Sequence, residues 1–260
     1  MAKKKLSKKK RRRRIIRRII LLVVLLAFAT GLILFAPKII KVAGLAKDAK
    51  KLVGQSNVGT FMDAGTTVIY DASGNELCTM KDSKDMYYVD IADIPDALAE
   101  SFVVIEDKDF YKHKGIDYKA IIRAIIANTE NDEIVQGAST ITQQLAKNIF
   151  LSQEVTWERK VEEMFVAREL EKKYSKDQIL EFYLNNIYFG NGYYGVGAAA
   201  KGYFGKDVNE LSLAEQTFIA AIPNNPTRYN PLTNYDNTVG RRDMILARLY
   251  DEDFINSMNY

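Results

Sequence analysis

Apolar and polar positions alternate along this chain in three rhythms, each predicting a different element. Residues 19–36, IILLVVLLAFATGLILFA, form an uncharged run of eighteen that stops at Pro37. A helix crosses a bilayer with about 20 apolar residues, and roughly 17 is the practical minimum. The run therefore predicts a transmembrane helix over 19–36, ended by Pro37. Ile15 and Ile16 extend it past Arg17 and Arg18, whose long side chains can snorkel. Residues 38–56 lack strong periodicity and predict a stalk. Strand rhythm follows in Thr67-Val68-Ile69-Tyr70 and in Glu76-Leu77-Cys78-Thr79-Met80. Between them, Asp71-Ala72-Ser73-Gly74-Asn75 carries turn chemistry, so the pair predicts a β-hairpin. Residues 87–89 suggest a third extended piece. Helical rhythm then takes over, starting at Pro95. It continues over 118–128 (a broad stripe of Ile121, Ile122, Ile125 and Ile126), 139–149, 157–174, 177–187, 211–222 and 238–249. Gly190, Gly192, Gly195 and Gly197 mark a tight loop, and 223–231 is a loop with three prolines.

Charge changes the picture at the N-terminus. Residues 1–18 hold twelve Lys and Arg and no acid, whereas only Lys38, Lys41, Lys47, Lys50 and Lys51 follow the apolar run closely. The positive-inside rule then predicts a cytoplasmic N-terminus and an extracytoplasmic body. A cleaved signal peptide is the competing reading, but no small-x-small site precedes Pro37. Setting those twelve aside from the 37 basic residues leaves 25 against 33 acidic ones, a net charge of −8. An acidic body argues against nucleic acid as partner; the basic tail reads as an orientation signal that also meets anionic lipid. One cysteine, Cys78, and one histidine, His113, exclude an intrachain disulfide and a zinc cluster. A metal would have to be a hard cation held by carboxylates.

The candidate chemistry gathers after the apolar run Phe102-Val103-Val104-Ile105. Glu106 and Asp107 follow it directly, then Phe110 and His113. A buried carboxylate can be tuned to exchange a proton near neutral pH. For an isolated acid pair the plainer reading is a solvated helix end, with Glu106 beside Lys108 or Lys112.

The wider pattern resembles the peptidoglycan glycosyltransferase (transglycosylase) domain shared by class A penicillin-binding proteins and monofunctional transglycosylases. Five stretches carry the resemblance, in the family's order. They are Glu106-Asp107-x-x-Phe110-x-x-His113-x-Gly115; Gly137-x-Ser139-Thr140-Ile141-Thr142-Gln143-Gln144-Leu145-x-Lys147-Asn148; Arg159-Lys160-x-x-Glu163; Lys176-x-x-Ile179-Leu180-Glu181-x-Tyr183-Leu184-Asn185; and Arg241-Arg242-x-x-Ile245-Leu246. The resemblance implies a mainly α, lysozyme-like lobe with a small membrane-apposed lobe, placed at 116–126 beside the polar break at 131–137. The implied organisation is a basic tail (1–18), a transmembrane helix (19–36), a stalk and hairpin (37–92), the glycosyltransferase domain (93–250) and a truncated or linking C-terminus (251–260).

The implied reaction joins lipid-linked disaccharide-pentapeptide units into β-1,4 glycan strands and releases polyprenyl pyrophosphate. Glu106 would be the base for the acceptor's 4-hydroxyl, and Glu163 the second carboxylate, assisting at the pyrophosphate or a divalent cation (Mg or Mn). Lys147, Arg159 and Lys160 match the positions expected to neutralise phosphate. Arg159 and Glu163, at i and i+4, share a helix face, whereas Arg159 and Lys160 diverge by about 100°.

Ser139, Thr140 and Thr142 are read as helix cap or substrate contact alike. Gln143, Gln144 and Asn148 are read as substrate contacts, with one of the glutamines on sugar hydroxyls or amides. Asp107, Phe110, His113 and Gly115 buttress the Glu106 loop. Lys176, Glu181, Tyr183 and Asn185 read as packing ties, Glu162 as a solvated acid, and Arg241 and Arg242 as surface charges. The expected partners are the lipid-linked substrate, the growing glycan strand, the membrane and other cell-wall synthesis proteins. A transpeptidase would need S-x-x-K, S-x-N and K-T-G; here S-x-x-K is met by Ser7 in the lysine-rich tail, Ser73-Gly74-Asn75 fits S-x-N but lies in the hairpin turn, and K-T-G is absent. The hairpin nevertheless resembles the segment preceding the domain in bifunctional members, so a shortened bifunctional protein is expected. A lysozyme-type lytic enzyme and a non-catalytic membrane scaffold are the rival classes; the first has no use for a pyrophosphate-binding cation set, and the second none for an acid pair.

Overall fold

A computed structural model describes residues 8–62, 67–74, 76–80, 85–131, 137–152 and 154–256. They fall into two compact units, Met1–Lys47 and Asp48–Tyr260.

In the first unit runs most of α1 (Lys8–Gln55), a 48-residue helix with Pro37 inside it. The expectation that Pro37 ends the helix is therefore corrected. Proline removes one backbone hydrogen bond and crowds the carbonyl four residues back, a local cost that the helix formers on both sides absorb. The expected stalk is likewise helical as far as Gln55. The apolar side chains from Ile19 to Leu26, with Phe28, Ile33 and Phe35, are exposed. Among the described residues no helix is long and apolar enough to cross a membrane. Side chains 27, 29, 31, 32 and 34 are not described, so the span expected over 19–36 lies in part outside the described residues.

The second unit opens with the end of α1 and the single turn α2 (Gly59–Met62). Ala49, Val53 and Phe61 are buried in the main core, so part of the expected stalk is core. Lys173 fastens this stretch by donating to the carbonyls of Val53 (2.8 Å), Gly54 (3.2 Å) and Ser56, groups that a helix end leaves without intrahelical partners. The hairpin forms as expected: β1 (Thr67–Tyr70) pairs antiparallel with β2 (Glu76–Met80). Gly74 sits at φ +85°, where a Cβ would be strained. The third strand, β3 (Asp85–Met86), lies just upstream of its expected place and pairs with β4 (Tyr193–Tyr194) in parallel. Strand pairing does not reach Val89, because the Asn185 side chain takes that residue's backbone. Val89 N–H donates to Oδ1 and the Val89 carbonyl accepts from Nδ2, both at 2.8 Å.

The rest is helical: α3 (Asp96–Glu106), α4 (Tyr118–Asn131), α5 (Ile141–Phe150), α6 (Trp157–Lys173), α7 (Lys176–Asn186), α8 (Gly195–Phe204), α9 (Leu213–Ala221) and α10 (Tyr235–Asp251). Thr140–Gln143, Ser175–Gln178 and Ser212–Glu215 close reciprocal capping boxes at the starts of α5, α7 and α9. Two packed sets follow: α5, α6 and α7 together, and α3 with α9 and α10. Phe102 of α3 and Tyr183 of α7 meet edge to face at 6.1 Å and join the sets. The C-terminal end of α3 thus reaches the seam between them.

Candidate active site

Glu106 is the last residue of α3, and each helix set supplies it with one partner. Arg241 of α10 donates from Nη2 to Oε1 at 3.1 Å; Gln144 of α5 donates from Nε2 to Oε2 at 3.0 Å. Both side chains of the ion pair are 11% exposed. Tyr183 of α7 donates its hydroxyl to Oε1 of Gln144 at 3.3 Å, which turns the amide so that its nitrogen faces Glu106. Burial above all, helped by Glu106 and Asp107 and opposed by Arg241, pushes the Tyr183 phenol well above its ordinary value. It therefore stays a donor at any physiological pH.

Asp107 ties the loop after α3 to the start of α5. It is buried, accepts from Ile141 N–H (3.0 Å), and meets His113 Nε2 at 2.9 and 3.0 Å. Gly115 N–H donates to His113 Nδ1 at 3.1 Å, so the ring's proton resides on Nε2 and points at Asp107. Thr140 donates from Oγ1 to the Gly115 carbonyl at 2.7 Å. Gly115 is at φ +87°, and a Cβ there would sit 2.9 Å from the Ala167 carbonyl oxygen. Conformation and space both demand glycine. Phe110 is fully buried, with the Lys176 ammonium 4.2 Å from its ring centroid.

Glu163, only 2% exposed, lies on α6. It is met by Arg159 and Lys160, and Gln143 Nε2 donates to its Oε1 at 3.1 Å. The two cations converge here although they are sequence neighbours. Lys160 at i−3 and Arg159 at i−4 straddle the row that Glu163 occupies. Lys160 also donates to Ser139 Oγ at 2.8 Å. Lys147 and Asn148 on α5 are half-buried and have no side-chain partner among the described residues.

Consecutive glutamines of α5 thus hold the two acids, Gln144 on Glu106 and Gln143 on Glu163. Several sequence expectations change in detail. The cap of α5 is Thr140; Ser139 instead receives Lys160, and Thr142 donates to Glu171 at 2.6 Å. Gln143 spends its amide on the cap and on Glu163. The fourth stretch supplies ties as expected: Lys176 to Glu171, Glu181 accepting from Tyr88 and from Ile91 N–H, and Asn185 to Val89. Glu162 is half-buried; burial first, then Asp48, raises its carboxyl.

Arg241 is the chief miss, since it is neither at the surface nor solvated. Its signal was present: Arg241, Ile245 and Leu249 recur at spacing four, and the last two are wholly buried, so Arg241 shares the inward face. Arg242, one residue on, turns away and pairs with Asp243 at 2.7 Å. Glu171 was also missed; no pattern in its charged helix distinguishes it.

A divalent cation finds little here. Every contact of Glu163 is a hydrogen-bond donor, two of them cationic, and no three His, Cys, Asp or Glu side chains gather to hold a metal among the described residues. Hard cations need several oxygen ligands, so these residues do not make a resident metal site.

Residues 73–250 match the family model described as Transglycosylase. Penicillin-binding protein 1A of Aquifex aeolicus is 47% identical over 192 residues, covering 74% of this chain and 26% of that protein. Penicillin-binding protein 4 of Bacillus subtilis is 45% identical over 188 residues, covering 72% of this chain and 30% of that protein. A crystal structure of penicillin-binding protein 1A from Haemophilus influenzae aligns with a TM-score of 0.43 at 26% identity, over 75% of this chain and 19% of that one. The chain spans less than a third of the length of these relatives.

Proposed function

The chain belongs to the transglycosylase family, and from that premise we propose that it polymerises a lipid-linked disaccharide-pentapeptide into β-1,4 glycan at the membrane surface. Glu106 takes the proton of the acceptor N-acetylglucosamine 4-hydroxyl. The freed oxygen lone pair forms the bond to the donor's anomeric carbon, whose bond to phosphate breaks, and the electron pair leaves on polyprenyl pyrophosphate. Charge accumulates on that leaving group in the transition state, where preorganised cations stabilise it most. Lys147, with no side-chain partner among the described residues, and the Arg159–Lys160 pair held by Glu163 are the cations we assign to it. Magnesium or manganese, if one assists, would supply further positive charge to the leaving group, and the residues around Glu163 would not hold it as a resident ion.

The observation that carries this reading is the double suspension of Glu106 and Glu163 from Gln144 and Gln143. One rigid helical turn thereby sets a half-buried carboxylate beside a cluster of cations, as base and leaving-group site require. The membrane assignment rests on the uncharged run at 19–36 and on α4, where Ile122, Ile125 and Ile126 are exposed, Ile125 at 61%. Such an apolar face, unusual on a soluble protein, suits the polyprenyl chain or the bilayer surface.

The test is polymerisation of labelled lipid-linked disaccharide by the purified chain in detergent, beside a Glu106→Gln variant. Glutamine keeps size and hydrogen bonding but cannot take the proton. A positioned base contributes roughly 10²–10⁴-fold, so the variant should be nearly inactive at unchanged melting temperature. Polymerisation within about threefold of the parent would remove Glu106 from the mechanism. Shortening of preformed glycan in place of its growth would identify a lytic enzyme.

A further inference from the structure

The guanidinium of Arg241 is engaged on one side and unsatisfied on another. Nη2 holds Oε1 of Glu106 at 3.1 Å, while Nε is buried and has no hydrogen-bond partner among the described residues. The Tyr229 ring lies over the group, 5.2 Å from its central carbon, and limits its swing. Two different donors therefore hold the two oxygens of Glu106: a cation on Oε1 and the neutral amide of Gln144 on Oε2.

These donors are unequal. Both meet the same carboxylate, but the guanidinium brings a full, permanent positive charge to its bond, whereas the amide of Gln144 is neutral. Gln144 is in turn steadied only by the Tyr183 hydroxyl at 3.3 Å, a long contact for an O–H donor. An incoming hydroxyl can displace the amide far more cheaply than the arginine. Among the described residues the charged side chain paired with Glu106 is Arg241 from α10, and the neutral Tyr183 from α7 stands behind Gln144.

We infer that Arg241 is the positioning residue of the base: it fixes Oε1 so that Oε2 accepts the proton, and it offers its unpaired Nε–H to an oxygen of the acceptor sugar. The acceptor hydroxyl enters where the Gln144 amide now sits, and its proton moves to Oε2. Its electron pair makes the new bond to the anomeric carbon as the bond to pyrophosphate breaks. Loss of Arg241 then leaves a carboxylate free to rotate and an acceptor held by one contact fewer. This inference rests on the glycosyltransferase reading above.

Four proteins separate the possibilities: the parent, Glu106→Gln, Arg241→Ala and Arg241→Lys, each assayed with the lipid-linked disaccharide and melted by circular dichroism. An active parent and an inactive Glu106→Gln establish the reaction itself; without them the reading of function fails before Arg241 is at issue. Given both, Arg241→Ala should lose at least about tenfold in kcat at an unchanged melting temperature. Arg241→Lys, which keeps a charge for Oε1 but has no second donor in a fixed fork, should regain part of kcat and show a raised KM. The inference is overturned if Arg241→Ala stays within about threefold of the parent. It is equally overturned if the alanine and lysine variants lose activity and melting temperature together, since a packing role alone would produce that.

Discussion

At the scale of single residues, the proposed leaving-group side sets two cations, Arg159 and Lys160, against one buried carboxylate. Glu163 is almost fully enclosed and touches Arg159 and Lys160. Lys147 has no internal counter-charge among the described residues, so its substitution should act on the reaction without disturbing the fold. Lys147→Ala is expected to cut the polymerisation rate by at least about tenfold, roughly 1.4 kcal/mol of barrier, at an unchanged melting temperature. Glu163→Gln and Arg159→Ala should each be comparably slow. Their double variant should fall short of the product of the two defects, because groups acting as a unit are not additive. Near-parental rates in Lys147→Ala and Arg159→Ala together would leave the pyrophosphate assignment without support. An exposed i, i+4 pair of the same composition would contribute under about 1 kcal/mol of stability and nothing to rate.

At the scale of elements, helix starts hold the second unit in shape, and the start of α9 shows how they answer to pH. Lys206 foremost, then the Ser212 backbone N–H, lowers the Glu215 carboxyl below its ordinary 4.5. Both partners favour the ionised form, so Glu215 stabilises the fold above its unfolded pKa, and that stability drains away as pH falls through the lowered folded value. Glu215→Gln keeps the capping contact and loses only the solvent-screened ion pair with Lys206, so it should cost at most about 1 kcal/mol near pH 7. The two melting curves should converge in acid below pH 4.5. A gap that persists undiminished at pH 3, well under the ordinary carboxylate range of about 4, would show that charge plays no part. Capping-box spacing, S/T-x-x-E/Q, is legible in the sequence at Thr140, Ser175 and Ser212 because it is a local contract between residues three apart. The exposed stripe of α4 is only half legible. Periodicity announces an apolar face, but whether a core or a lipid covers it depends on what the rest of the chain brings alongside.

For the whole molecule, charge asymmetry about residues 19–36 makes a topological prediction. With twelve basic residues before the run and five sparse ones after it, the tail should be cytoplasmic and the second unit outside. Protease added to intact spheroplasts should digest the second unit and spare the tail. Protection of the second unit would reverse the orientation. The same scale explains the assembly of the site, whose Glu106 and Arg241 are 135 residues apart in the chain. The buried Ile245 and Leu249 pack α10 beside α3, and Phe102 against Tyr183 brings α7 to the same seam.

By itself the sequence determined the helical character of the body, the hairpin with its Gly74 turn, the acid pair at the end of an apolar run and the five motifs that mark the family. Each is a local or periodic property, readable wherever spacing along the chain equals neighbourhood in space. Only the tertiary structure decided which groups meet. It moved Arg241 from the surface to the carboxylate of Glu106 and turned Lys160 as well as Arg159 onto Glu163. Side-chain partners across packed helices depend on crossing geometry and on which rows of side chains interlock, and that information is spread over the whole core, not written at any one position.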